Sequence, residues 1–196
     1  TCNVGATTPE EYGDYFAWGE IEPKDNYSWS TYKWCNGSST TITKYCTRSS
    51  YGTADNKTVL ELKDDAAHVN WGGNWRMPTE AEYNELKNTK NCTWEWTRQN
   101  GVKGYKVTSV VNGNSIFLPA AGSRFSGNLS GAGSYGNCWT SSLSTSNCDH
   151  ANSVNFDSGY VGCSGRSRYD GRSVRGVYDS SVPVPAPIVC TVSASA

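Results

Sequence analysis

The chain has 196 residues with 17 basic against 18 acidic side chains and a pI of about 6.1, enough for one domain with a buried core and too balanced for a nucleic-acid partner. No apolar run approaches the ~18 residues that a membrane-spanning helix needs, so no membrane span is expected. Eight Cys point to an oxidising compartment, and abundant Gly and Ser with all eight Trp at or before Trp139 point to a loop-rich, β-leaning fold rather than a helical bundle.

The first residue is Thr1 and no charged-then-apolar leader follows, which reads as a processed chain or a fragment. Sequons at Asn26, Asn36, Asn56, Asn91 and Asn128 matter only in a eukaryotic product. Residues 13–20 (GDYFAWGE) read as a strand with aromatics at 15, 16 and 18. Residues 27–47 form an aromatic excursion closed around an Asn-Gly turn that Cys35 and Cys46 flank. A Cys35–Cys46 disulfide is expected to staple that short loop, and Cys2 with Cys92 is a second candidate pair. Residues 64–88 hold the best helical signal: Pro78-Thr79 opens a helix with acids in its first turn and Tyr83 and Leu86 on one apolar face.

Alternation and two Asn-Gly turns predict three antiparallel strands at 93–99, 102–110 and 114–119. A Gly/Ser loop over 120–136 follows, then short strands at 138–142, 151–157 and 173–178. Residues 1–179 read as one α+β domain with short antiparallel sheets, one or two helices and long loops. Residues 180–196, rich in Pro, Val and Ala, read as an extended C-terminal tail.

Few motifs carry chemistry. GAGSYG at 131–136 matches a dinucleotide fingerprint in letters, but a Ser/Gly loop precedes it and no helix follows, so it reads as a loop. Asp64, Asp65 and His68 read as caps of a short helix rather than a metal site, and Glu20 with Glu22 as a solvated edge. With His68 and His150 alone, a histidine-based triad has few ways to assemble. Cys138, Cys148, Cys163 and His150 lack the close C-x-x-C pairing of a zinc site. No cofactor, no metal and no catalytic residue is expected.

Residues 146–171 are the most unusual stretch, a mixture of Asn, Asp, Ser, Gly, Tyr, Cys, His and Arg. It is broken only by Ala151, Val154, Phe156 and Val161, which read as apolar pegs facing a core. Tyr, Ser, Gly and Asn are also enriched in antibody binding loops, where Tyr gives large contact area at low entropic cost. The reading is a recognition surface.

The blocks WGGNWRMPTEAEYNEL (71–86), NSIFLPAAGSR (114–124), CWTSS (138–142) and RYDGRSVRGV (168–177) resemble the Fibrobacter succinogenes major paralogous domain family over about residues 2–178. That family is related to the formylglycine-generating-enzyme-like branch of the C-type lectin fold. The resemblance implies a C-type lectin-like fold with its binding surface on strands and loops near the C-terminal end. Some members of this fold are variable proteins of diversity-generating retroelements, found in Bacteroides and its phages. There, randomised Asn codons yield the eight residue types named above, among others, but never Lys, Glu, Gln, Met or Trp. Of the 26 residues at 146–171, 22 belong to the eight types. The five forbidden types are absent there but supply 28 of the other 170 residues, a chance of roughly 1%.

The resemblance therefore implies a non-catalytic binding module, exported to a cell surface or virion. It would be a phage receptor-binding protein or a bacterial surface adhesin whose macromolecular ligand is a surface protein or glycan. The expected ligand-binding residues are Asn137, Asn147, Asp149, His150, Asn152, Asn155, Asp157, Ser158, Tyr160, Ser164, Arg166, Tyr169 and Asp170. The calcium-lectin signatures EPN, QPD and WND are missing, so calcium-dependent sugar binding is not implied. The alternatives are a formylglycine-generating-type oxidase, whose terminal Cys pair has no match here, and a fibre or pilus subunit. Homo-oligomerisation stays open, since the resemblance implies an uncovered sheet edge at the domain terminus, which another chain or the tail would cover.

Overall fold

The helix signal in residues 64–88 resolves into two helices with different starts. A computed structural model describes residues 1–181. Helix α1 spans Ala66–Trp71, and Asp65 caps it by accepting from the His68 amide at 3.0 Å. The same carboxylate accepts from the Met77 amide at 2.7 Å and so ties α1 to strand β1, Trp75–Arg76. Helix α2 spans Glu80–Lys87 and begins with a reciprocal capping box between Thr79 and Glu82. Tyr83 is its buried residue, and Leu86 packs on the same cluster.

Glu82 also grips Arg76 through two hydrogen bonds of 2.9 and 2.7 Å. Chiefly through Arg76, its carboxyl is held down at about 2. A carboxylate depressed in the folded state stabilises above its unfolded pKa and loses that contribution as pH falls through its folded one. The stability gap between wild type and Glu82→Gln, measured by urea melts, is therefore expected to be full above pH ~4.5 and to close towards pH ~2. A gap that does not change with pH would show that the capping box, and not the charge, sets it.

The three central strands lie close to their expected positions: β2 at Cys92–Gln99, β3 at Val102–Ser109 and β4 at Ser115–Pro119, antiparallel in that order. The β2–β3 turn is Asn100-Gly101, both at positive φ (48° and 84°), the conformation that suits the twist of a tight hairpin. The segment expected as a Gly/Ser loop instead contains a small hairpin, β5 (Ser123–Phe125) and β6 (Asn128–Ser130), closed by Ser126-Gly127. A second three-stranded antiparallel sheet follows: β7 (Tyr135–Leu143), β8 (His150–Asp157) and β9 (Tyr160–Ser167). Strand β10, Val177–Tyr178, pairs with β1.

Two expected strands are shorter or absent. Residues 13–20 make only one bridge, Phe16 to Arg172, with Trp18 donating to the Arg168 carbonyl at 2.8 Å. Gly13 and Gly19, both at positive φ, bend the segment out of a ladder at either end. Of 173–178 only the last two residues form a strand, while Ser173 and Arg175 bridge singly to Cys138 and Asn3. The tail expected over 180–196 falls mostly on residues 182–196, outside the described residues.

The architecture is thus α+β, with short antiparallel sheets and two α-helices among the described residues. Among them no helix is long and apolar enough to cross a membrane. The core is stitched by aromatics whose polar ends find backbone partners. The Trp18 indole donates to the Thr140 carbonyl and the Trp139 indole to the Phe16 carbonyl, each at 2.8 Å. Three buried arginines then lock the C-terminal segment. Arg168 reaches the carbonyls of Lys44, Tyr45 and Cys148, Arg172 reaches Asp170, and Arg175 reaches the Phe117 carbonyl.

The expected Cys35–Cys46 bond does not join these residues in the structure: both are free thiols. Cys35 lies opposite Ile42 in the turn, so Cys46 falls four residues beyond the closing pair. The Cys35 thiol donates to the Trp29 carbonyl and the Cys46 thiol to the Arg48 carbonyl. Cys2 and Cys92 are also free, with Cys2 donating to the Ala6 carbonyl.

Candidate ligand-binding site

Side chains alternate across a strand, so the β7–β8–β9 register decides which residues share a face. In the ladder, Asn137 lies opposite Asn155 and Asn155 opposite Gly162, while Asp157 lies between Tyr135 and Tyr160. One face therefore carries Tyr135 and Asn137 of β7, Ser153, Asn155 and Asp157 of β8, and Tyr160, Ser164 and Arg166 of β9. The opposite face carries Asn152, Val154 and Phe156 with Val161 and Cys163, and it packs towards α2 and the β2–β4 sheet. Ala151, Val154 and Phe156 are all buried and Val161 is half-buried, as expected of pegs.

The first face opens into a cleft of ≈ 280 Å³. Five of the expected binding residues line it: Asn137, Asn155, Asp157, Tyr160 and Arg166. Ser164 joins through its hydroxyl, which accepts from Asn155 Nδ2 at 3.0 Å. Tyr160 is 54% exposed, and its ring lies over Gly162, where even a Cβ would come within 1.8 Å of its hydroxyl. Aspartate and arginine stand at the exposed rim, while Asn137 and Asn155 lie nearly buried on the floor.

Arg172 completes that floor. It donates to Asp170 Oδ2 at 3.0 Å and Asn155 Oδ1 at 3.2 Å, and its guanidinium sits 5.1 Å above the Trp139 ring. Its Nε and Asp170 Oδ1 are buried with no hydrogen-bond partner in the protein. Burial pushes the Asp170 carboxyl up against the pull of Arg172, and burial likewise lowers Arg172.

The remaining expected residues lie elsewhere. Asn152 is a correction: it is buried on the opposite face and donates to Glu80 at 2.6 Å. Asp170 is another, buried behind the cleft as the partner of Arg172 rather than displayed. Ser158 is exposed in the β8–β9 turn. Asn147 accepts from the Tyr51 hydroxyl at 3.0 Å, and Asp149 pairs with His150 at 2.8 Å. Tyr169 stacks edge-on against Trp29 with ring centres 4.9 Å apart, and burial pushes its hydroxyl up.

Sequence reasoning missed Ser123, Phe125, Tyr135 and Arg172 as cleft residues. Tyr135 and Asn137 follow a period of two, a legible signal. Arg172 carried no such mark, since its role depends on partners on β8. Among the described residues no cluster of three or more His, Cys, Asp or Glu could hold a metal. Asp64 is taken up by Lys44 and Tyr45, and Asp65 by the α1 cap.

A scan against protein-family models finds no matching family, and searches of curated proteins and of solved structures find no match to this chain.

Proposed function

We propose that the chain is a non-catalytic binding module of C-type lectin-like type. It acts outside the cell or on a virion, as a phage receptor-binding protein or a bacterial surface adhesin. Its ligand is a surface protein or glycan that inserts a polar group into the cleft on the outer face of β7–β8–β9. One observation carries this reading. Five of the thirteen residues selected from the sequence as a recognition set line a single cleft, while Ala151, Val154 and Phe156, interleaved with them, are buried. A rigid sheet with buried pegs supports exchangeable side chains without asking them to stabilise the fold. Aromatic walls with arginine and amides at the base supply both contact area and directional hydrogen bonds.

The test is binding of the labelled full chain to a glycan array and to intact bacterial cells, followed by titration of variants. Tyr160→Ala and Arg166→Ala are expected to weaken binding by about 30-fold or more, the effect of losing an anchor of about 2 kcal/mol. Their melting temperatures are expected to stay at the wild-type value. Binding that survives both substitutions together would place the ligand elsewhere and remove the proposal.

A further inference from the structure

Two cysteines that are 102 positions apart in the sequence meet in the interior. Cys46 and Cys148 are both buried in one cluster, and each thiol lies close enough to the other to shift its ionisation. The Cys148 sulfur accepts from the Thr47 amide at 3.1 Å and lies 3.6 Å from the Thr47 hydroxyl. The Cys46 thiol reaches the Arg48 carbonyl at 3.1 Å. Arg168 fixes both strands of the approach, donating to the Tyr45 carbonyl at 3.1 Å and the Cys148 carbonyl at 3.0 Å. Two further contacts join the same segments: Tyr51 to Asn147 and Arg48 to the Thr145 carbonyl.

We propose that Cys46 and Cys148 are a disulfide-forming pair, closed by a low-molecular-weight disulfide such as oxidised glutathione, which ties the loop before β8 to the 44–48 segment. In the first step the Cys148 thiolate attacks one sulfur of the oxidant and expels a thiolate, leaving a mixed disulfide. In the second, deprotonated Cys46 attacks the Cys148 sulfur, forms the Cys46–Cys148 bond and expels the second thiolate. Two protein thiols lose two protons and two electrons, and one small disulfide becomes two thiols. Both sulfurs are shielded in the folded chain, so the exchange belongs to a late stage of folding, after the 44–48 segment and the loop before β8 have met and before the cluster closes over them.

The local chemistry suits these roles. Burial, with the neighbouring thiol, pushes Cys46 up to about 11. Against the pull of burial, hydrogen bonds from Cys46, Thr47 and the Arg48 amide draw Cys148 below the ordinary thiol range. Competing pairs are less well placed. Cys138 and Cys163 both lie opposite Val154, one on each side, so two strand spacings of about 5 Å separate them, beyond the reach of a disulfide. Cys35 directs its thiol to the Trp29 and Tyr32 carbonyls.

The experiment refolds the reduced full chain in a glutathione redox buffer, alkylates the remaining thiols and maps peptides without reduction. The expected product is about 2 Da lighter and links Cys46 to Cys148. Reducing it is expected to lower Tm by about 10 °C, because the bond closes a loop of about 100 residues. Cys35→Ser should keep the link, and Cys148→Ser should leave Cys46 open to alkylation. Recovery of Cys46 and Cys148 as free thiols, or of Cys46 bonded to Cys35, would overturn the proposal.

Discussion

Phe156→Ala is expected to destabilise the domain by about 3–5 kcal/mol, because it deletes a core ring and leaves a cavity that the sheet cannot close. Phe156 is only 2% exposed. Its ring meets Tyr105 of β3 edge-on with centres 5.8 Å apart, so it couples the two three-stranded sheets. On the other side it lies against Gly136, where a Cβ would come within 2.1 Å of the ring. The large aromatic four residues later behaves differently. Tyr160 is more than half exposed, and Tyr160→Ala is expected to shift stability by no more than about 0.5 kcal/mol. Urea melts on the two variants read the contrast directly. If Tyr160→Ala unfolds the chain while Phe156→Ala is tolerated, the two faces of β7–β8–β9 have been assigned the wrong way round.

Legibility in the sequence followed locality. Strands β2–β4 lay within about two residues of their expected bounds because Asn100-Gly101 specifies its own turn and the flanking residues alternate. The start of α2 was legible for a similar reason, since Thr79 and Glu82 close the capping box within four residues. The pegs at 151, 154 and 156 were legible because they were the apolar exceptions in a polar run.

What misled the reading was polarity with a distant partner. Asn152 reads as a surface residue until Glu80, 72 positions earlier, arrives on the same face to accept its hydrogen bond. Cys46 reads as the partner of Cys35 because they are close in sequence, yet its sulfur neighbour lies just before β8. The short hairpin β5–β6 was hidden because Ser126 takes a positive φ of 49° that its residue type does not announce. The recognition set survived these errors in part, because the period of two on β8 and β9 survives any mistake about partners.

Asp170 is the case in which misplaced polarity has the largest energetic consequence. Asp170 and Arg172 are 3% exposed each and form a 3.0 Å ion pair beneath the cleft. Removing one partner of a buried pair strands the other charge, so Arg172→Ala is expected to cost about 3–5 kcal/mol. The cost should shrink as pH falls, as at Glu82, but for the opposite reason: there the wild type loses a stabilising charge, whereas here the variant sheds a destabilising one. Burial already raises the Asp170 carboxyl in the folded state, and Arg172 is the principal group drawing it back down. Without Arg172 the folded-state pKa rises further above the unfolded value of about 3.9. A carboxyl raised in the folded state binds its proton more readily there than in the unfolded chain. Lowering the pH through that folded pKa therefore stabilises the variant relative to wild type. The deficit of Arg172→Ala should shrink as pH falls from 7 towards ~4. The double variant Asp170→Asn with Arg172→Met, which buries no net charge, should lose less stability than Arg172→Ala alone at pH 7. Melts of the three proteins at both pH values test the argument. If the single variant's deficit stays constant with pH and the double variant does no better, the pair is a packing element whose charges contribute nothing.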